Sequence, residues 1–165
     1  MGDGETFVGG CFCGAVRFSV SGPVVVTQTC HCSICRQLHG TSFGVAAACF
    51  GADKFEVTAG EDRLGEFMSP RNFSRMFCRD CGTRVFMKFD KADMEIPLVV
   101  VYPTLLDQVK AGGAPLPEEL SPRQHVFYAD RLYDINDGKA KIADAPKEFG
   151  GSGRLLNDDG SPIEG

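Results

Sequence analysis

Apolar and polar residues alternate with a period of two over much of this chain. Val16, Phe18 and Val20 take turns with Arg17 and Ser19, the pattern of a strand with one face on a core and the other toward water. Residues 24–29, 43–49, 84–89 and 96–102 are rich in β-branched or aromatic side chains and bounded by Gly, Pro or Asp, and they read as further strands. The predicted fold is therefore mainly β, with chiefly antiparallel pairing. One short helix is expected over residues 33–39, with Ser33 placed to cap its first turn and Gly40 just past its end.

The chain has 165 residues, 43% of them hydrophobic, which suits one core at the usual ~100–200 residues per domain. A single domain over residues 1–149 is expected. Residues 150–165 offer only Leu155, Leu156 and Ile163 as bulky apolar groups and read as a mobile tail. A second loop is expected at 110–122, where two Gly and three Pro interrupt any period. The net charge is −5, and the acidic excess is C-terminal: residues 92–165 carry 7 basic and 13 acidic side chains against 10 and 9 in residues 1–91. That balance, without a long basic tract, argues against nucleic acid as a partner. No apolar run approaches the ~18 residues of a membrane span, and the first eight residues lack the basic flank of a secretory signal. A soluble, cytoplasmic protein is expected.

In a reducing compartment, clustered cysteines hold metal or do redox chemistry more often than they form disulfides. Seven of the eight fall into three groups: Cys11 and Cys13; Cys30, Cys32 and Cys35; Cys78 and Cys81. Cys78-Arg-Asp-Cys81 on a tight turn lets two thiolates converge on one tetrahedral ion, and Gly82 permits the backbone angles of such a knuckle. Cys11 and Cys13, two apart on an extended segment flanked by Gly9, Gly10 and Gly14, project to one side and supply the second pair. A closed four-thiolate zinc site that contributes folding free energy is expected. The competing readings are a disulfide pair or an iron–sulfur cluster.

The middle group differs. Cys30-His-Cys32-Ser-Ile-Cys35 supplies three thiolates in six residues, and three protein ligands leave one tetrahedral position open, as in catalytic zinc sites. An ion held there can lower the pKa of an exogenous water or thiol. The competing reading is a fourth protein ligand, His31, His39, Cys49 or a distant carboxylate, that closes the site. His31 lies between two ligands and should point the other way along an extended chain, and Cys49 reads as a buried, inert thiol. The trio, lacking a fourth ligand, should hold the more labile of the two ions.

Gly9 to Phe18 (GGCFCGAVRF), Cys30 to Arg36 (CHCSICR), Phe77 to Thr83 (FCRDCGT) and Arg123 to Phe127 (RQHVF) resemble the motifs of the glutathione-dependent formaldehyde-activating enzyme family, which also includes centromere protein V. The resemblance implies a zinc-containing β-tent of antiparallel sheets, with Cys11, Cys13, Cys78 and Cys81 on a structural zinc and Cys30, Cys32 and Cys35 on a catalytic one. The implied activity is that of a carbon–sulfur lyase joining glutathione, as cosubstrate, to formaldehyde as S-hydroxymethylglutathione. Glutathione carries two carboxylates, so a cationic rim is expected; Arg36 after the third ligand is the first choice, and Arg71, Arg75, Arg79, Arg84 and Lys88 form a further basic run. Of His31, His39 and His125, none can be chosen as a proton acceptor from sequence, and His125 reads as a hydrogen-bonded core histidine. The alternative function is a non-catalytic, zinc-stabilised protein-binding module.

Overall fold

The structure is a computed structural model that describes residues 5–70, 73–89, 97–110, 112 and 115–163. In chain order its elements are β1 (Phe7–Gly10), β2 (Arg17–Val20), β3 (Val26–Cys30), helix α1 (Ser33–His39), β4 (Val45–Gly51), β5 (Phe55–Ala59), β6 (Leu64–Met68), β7 (Ser74–Cys78), β8 (Arg84–Phe89), β9 (Leu98–Val101), the single turn α2 (Asp107–Lys110), β10 (Gln124–Val126), β11 (Ala140–Ile142) and β12 (Leu155–Leu156). The fold is mainly β, as the period of two requires. No helix among the described residues is long and apolar enough to cross a membrane.

The chain forms two compact units. The first comprises Met1–Val26 and Ala48–Leu120. One of its sheets runs β1-β2-β5, antiparallel throughout, with Phe7 opposite Val20 and Phe18 opposite Val57. The other runs β4-β9-β8-β7-β6, also antiparallel, with Ala48 opposite Val101 and Phe86 opposite the same valine. The alternation in β2 does what its pattern promised, since Phe18 and Val20 are buried and Arg17 and Ser19 are not. By contrast Leu-Val-Val-Val of β9 is buried at every position, as befits a strand covered on both faces. Phe7, Val16, Phe18, Phe50, Val85, Phe86, Val99 and Leu106 belong to one core, in which the Phe55 and Phe86 rings lie 4.5 Å apart.

The second unit comprises Thr27–Ala47 and Ser121–Gly165. Here β10 pairs in parallel with both β3 and β11, so the expectation of antiparallel pairing fails locally. A three-residue strand such as β10, flanked by loops, carries no period from which its direction could be read. The C-terminal segment departs from expectation as well. Within the stretch that reads as a mobile tail, Leu155 and Leu156 pair with β11, and Leu156 is buried. Two residues set in register on an existing strand edge gain hydrogen bonds, and Leu156 gains burial, that a count of apolar residues does not anticipate.

Helix α1 has the predicted bounds, and Gly40 ends it in the left-handed conformation at φ 59°. Its cap is different. Ser33 is the first helical residue, and the capping acceptor is the sulfur of Cys32, which receives the Cys35 N–H at 3.3 Å.

Candidate metal centres

In the first unit, Cys11 and Cys13 lie on the turn between β1 and β2, while Cys78 ends β7 and Cys81 lies on the turn to β8. Their four sulfurs all lie within 4.8 Å of one another. The Cys11–Cys13 and Cys13–Cys78 sulfur separations are 3.5 and 3.9 Å. Those values bracket the edge of about 3.8 Å expected for a tetrahedron with Zn–S bonds of ~2.3 Å, and they exceed the ~2.05 Å of a disulfide. All four cysteines are free thiols, so the disulfide reading is set aside, and the sulfur cage fits a single tetrahedral ion.

The local sequence builds this cage by backbone geometry. Gly82 adopts φ +74°, a conformation costly for any residue with a Cβ, and its N–H bonds to the Cys78 carbonyl at 2.8 Å to close the knuckle. The Cys11 sulfur accepts the Val16 N–H at 3.2 Å. Thr83 links the two halves: its hydroxyl oxygen accepts the Phe12 N–H at 3.1 Å and lies 3.2 Å from the Cys81 sulfur, to which its O–H donates when that sulfur is a thiolate. The protonation of the four thiols diverges accordingly. Burial opposes the Cys81 thiolate, but the Thr83 hydroxyl and other hydrogen bonds outweigh it and bring that thiol down to about 5. A backbone bond at Ala15 favours the Cys13 thiolate, yet the nearby sulfurs of Cys11 and Cys81 drive it up to about 12.

In the second unit, Cys30 ends β3, Cys32 caps α1 and Cys35 lies in the first turn of the helix; their sulfurs also lie within 4.8 Å of one another. Cys30 and Cys32 are buried and Cys35 is half-buried. Among the described residues no His, Cys, Asp or Glu joins the three as a fourth donor. Cys49 is buried and belongs to neither sulfur group, and desolvation pushes its thiol up to about 12. The neighbouring sulfurs of Cys32 and Cys35, and then burial, push the Cys30 thiol well above its ordinary value. The donor chemistry, soft sulfur crowded where negative charge is penalised, fits a thiophilic divalent cation such as zinc.

His31 is buried, as its position between the trio's cysteines allows, and its Nε2 lies 2.8 Å from Nδ1 of His125. Burial and then the neighbouring His125 bring the His31 imidazole down to about 4. His125 is in turn 2.9 Å from Asp137 Oδ2, a partner that sequence reasoning missed because nothing local marks it. Arg36 is half-buried, and its guanidinium donates to two backbone carbonyls, His31 O and Asp130 O, both at 3.0 Å. His39 takes no part in either sulfur group.

The basic run lies on β7, β8 and the turn between them. Arg75 is buried, Arg79 donates from Nε to the Leu64 carbonyl at 2.9 Å, and Arg84 stacks over the Phe77 ring at 5.2 Å. Lys88 borders a cavity with Glu56 and Glu61. Arg71 lies outside the described residues.

A crystal structure of a Rhodobacter sphaeroides protein, a Northeast Structural Genomics target, is similar to this chain. It is 23% identical, the match covers 66% of this chain and 97% of that one, and the TM-score is 0.50. At that identity the likeness concerns the fold alone. The family model described as glutathione-dependent formaldehyde-activating enzyme matches residues 6–130, a span that takes in both the four-cysteine cage and the three-cysteine group. With three quarters of its length matched, the chain belongs to the glutathione-dependent formaldehyde-activating enzyme family.

Proposed function

We propose that this protein is a zinc-dependent carbon–sulfur lyase that joins a thiol to a small carbonyl compound, or separates them, with glutathione and formaldehyde as the prototype pair. The observation that carries the reading is the convergence of three cysteine sulfurs, with no fourth donor among the described residues, in a chain of this family. Cys30, Cys32 and Cys35 would hold a zinc ion, which would supply Lewis-acid chemistry by lowering the pKa of a bound thiol so that thiolate is available at neutral pH.

The reaction needs no electron donor or acceptor. The thiol sulfur forms a bond to the carbonyl carbon, the C=O π pair moves onto oxygen, and the thiol proton ends on that oxygen as a hydroxyl. The chain's part is to hold and screen the reacting groups. Burial of Cys30 and Cys32 keeps water from one side of the trio, and half-exposed Cys35 marks the side from which a cosubstrate enters. Two of the five Arg36 donors are engaged by backbone carbonyls, and those that remain are assigned to a glutathione carboxylate. Cys11, Cys13, Cys78 and Cys81 are assigned to a structural zinc that ties the β1–β2 turn to the β7–β8 turn. A cytoplasmic location fits the same reading, because every cysteine is a free thiol.

The test is to measure zinc per chain and turnover of glutathione with formaldehyde, for the wild type and for Cys32→Ser. Two zincs and turnover in the wild type, with turnover lost in the variant while the fold is retained, support the reading. Two zincs with no thiol bound or transformed would replace it with the protein-binding module.

A further inference from the structure

A chain of hydrogen-bonded polar groups, buried at His31, His125 and Lys141 and open to solvent at Asp137 and Asp158, runs from the middle of the three-cysteine motif to the C-terminal part of the second unit. His31 and His125 are 1% and 3% exposed. Asp137 Oδ1, besides the contact of its other oxygen with His125, accepts from Lys141 Nζ at 2.7 Å and from the Lys139 N–H at 3.1 Å. Lys141, 2% exposed, is held on its other sides by the Lys139 carbonyl at 3.0 Å and Asp158 Oδ1 at 2.8 Å. Asp137, Lys141 and Asp158 all lie beyond residue 130, where the family match stops.

The direction of the hydrogen bonds follows from chemistry. Desolvation works against the Asp137 carboxylate, but the Lys141 and His125 bonds outweigh it and hold its pKa below the usual range. An ionised carboxylate only accepts, so His125 donates from Nε2. His125 Nδ1 in turn shares a hydrogen bond of 2.8 Å with His31 Nε2, so that Asp137, His125 and His31 form one series. One charged group thus orients the His125 ring and, through it, the His31 ring.

The rings are also hemmed in sterically. Tyr128 meets His31 edge-on at a centroid distance of 5.2 Å, and its hydroxyl is anchored to the Asp158 carbonyl at 2.7 Å. On another side lies Gly44, where an added Cβ would stand 3.0 Å from His31 Cε1 and 2.2 Å from Thr29 Cγ2. The backbone of His31 is pinned as well, its N–H donating to Val126 O at 2.9 Å and its carbonyl accepting from Arg36 Nε at 3.0 Å. A peptide held at N–H, carbonyl and side chain has little freedom left, and this one joins two of the three sulfur-bearing residues.

We propose that Asp137, acting through His125 and His31, is a positioning residue that sets the Cys30-His31-Cys32 turn, and with it the three sulfurs, in the arrangement that receives a metal ion. The inference rests on the reading of that trio as an ion site. Hydrogen-bonded partners behind a metal site contribute by orienting its ligands, and their loss weakens affinity by roughly 10- to 100-fold.

The test uses the full chain with Co2+ exchanged for its metal, followed by the thiolate–Co2+ absorption bands and by competition with a chelator of known affinity. The wild type should take up two ions, one removed more readily than the other. Asp137→Ala should weaken the readily removed ion about 10- to 100-fold and shift its bands, while the four-cysteine ion stays as it was. Asp137→Asn keeps an acceptor for His125 and should recover most of the affinity. Asp158→Asn, which touches Lys141 and not His125, should lower the melting temperature without moving the bands. Should Asp137→Ala fail to fold, His125→Gln leaves the Asp137–Lys141 pair in place and carries the same expectation. Wild-type affinity and bands in the Asp137 and His125 variants overturn the proposal, and so does an Asp158→Asn effect equal to that of Asp137→Ala. A wild type that takes up a single ion overturns instead the reading of the trio as an ion site.

Discussion

Thr83→Val removes the hydroxyl that joins the two halves of the four-cysteine cage and keeps the side-chain shape. Two hydrogen bonds disappear, from the Phe12 N–H at 3.1 Å and to the Cys81 sulfur at 3.2 Å. Phe12 is 89% exposed, so water replaces the first at little cost. The second donates to a sulfur that carries negative charge, and such bonds contribute about 1.5–3 kcal/mol. Because Thr83 is half-buried, the lower half of that range applies. A loss of about 1.5–2 kcal/mol, at 1.4 kcal/mol per decade, corresponds to roughly 10- to 30-fold weaker zinc binding at the cage. Competition with a chromogenic chelator, resolved into its two phases, measures this directly; the phase assigned to the three-cysteine group serves as the internal reference. Equal affinity in wild type and Thr83→Val would refute the idea that the hydroxyl stabilises the cage.

Three other outcomes follow from the same structure. Cys49→Ala should leave zinc content and turnover intact, and Cys49 should resist iodoacetamide in the folded protein, because burial raises its thiol to about 12; rapid labelling of that residue by mass spectrometry would contradict this. Phe86→Ala, at a site 1% exposed and in ring contact with Phe55, should cost about 3–5 kcal/mol in urea unfolding with zinc in excess. Asp137 has a folded pKa below its unfolded value of about 3.9, so its stabilisation is complete above that pH and is lost as pH falls through the folded value. The stability gap between wild type and Asp137→Asn should therefore narrow as pH falls below about 4; a gap that widens over that range would reverse the assignment.

Contacts close along the chain were legible in the sequence. The period of two marked Phe18 and Val20 as buried, and Gly40 marked the end of α1, because strand faces and helix ends are decided within a few residues. The spacing of seven cysteines likewise singled out the two sulfur groups, since ligands two or three apart share a turn. Even so, the cap of α1 fell to Cys32 and not to Ser33, where both residue types could serve and the path of the incoming strand chose between them.

Tertiary structure alone decided what lies behind those groups. Thr83 reaches Phe12 across 71 positions, and His31 reaches His125 across 94. Neither partner leaves a local mark, because a hydrogen bond between distant residues depends on strand order and register. The parallel placement of β10 beside β3 sets His125 opposite Thr29, and that same strand pairs with β11, whose Lys141 holds Asp137. Composition suggested a loose tail after residue 149, yet an edge strand supplied the template on which Leu155 and Leu156 pair. The sequence by itself determined which sulfurs gather; the folded sheet determined what holds them in place, since only the assembled strands bring a carboxylate from beyond residue 130 toward the ring between Cys30 and Cys32.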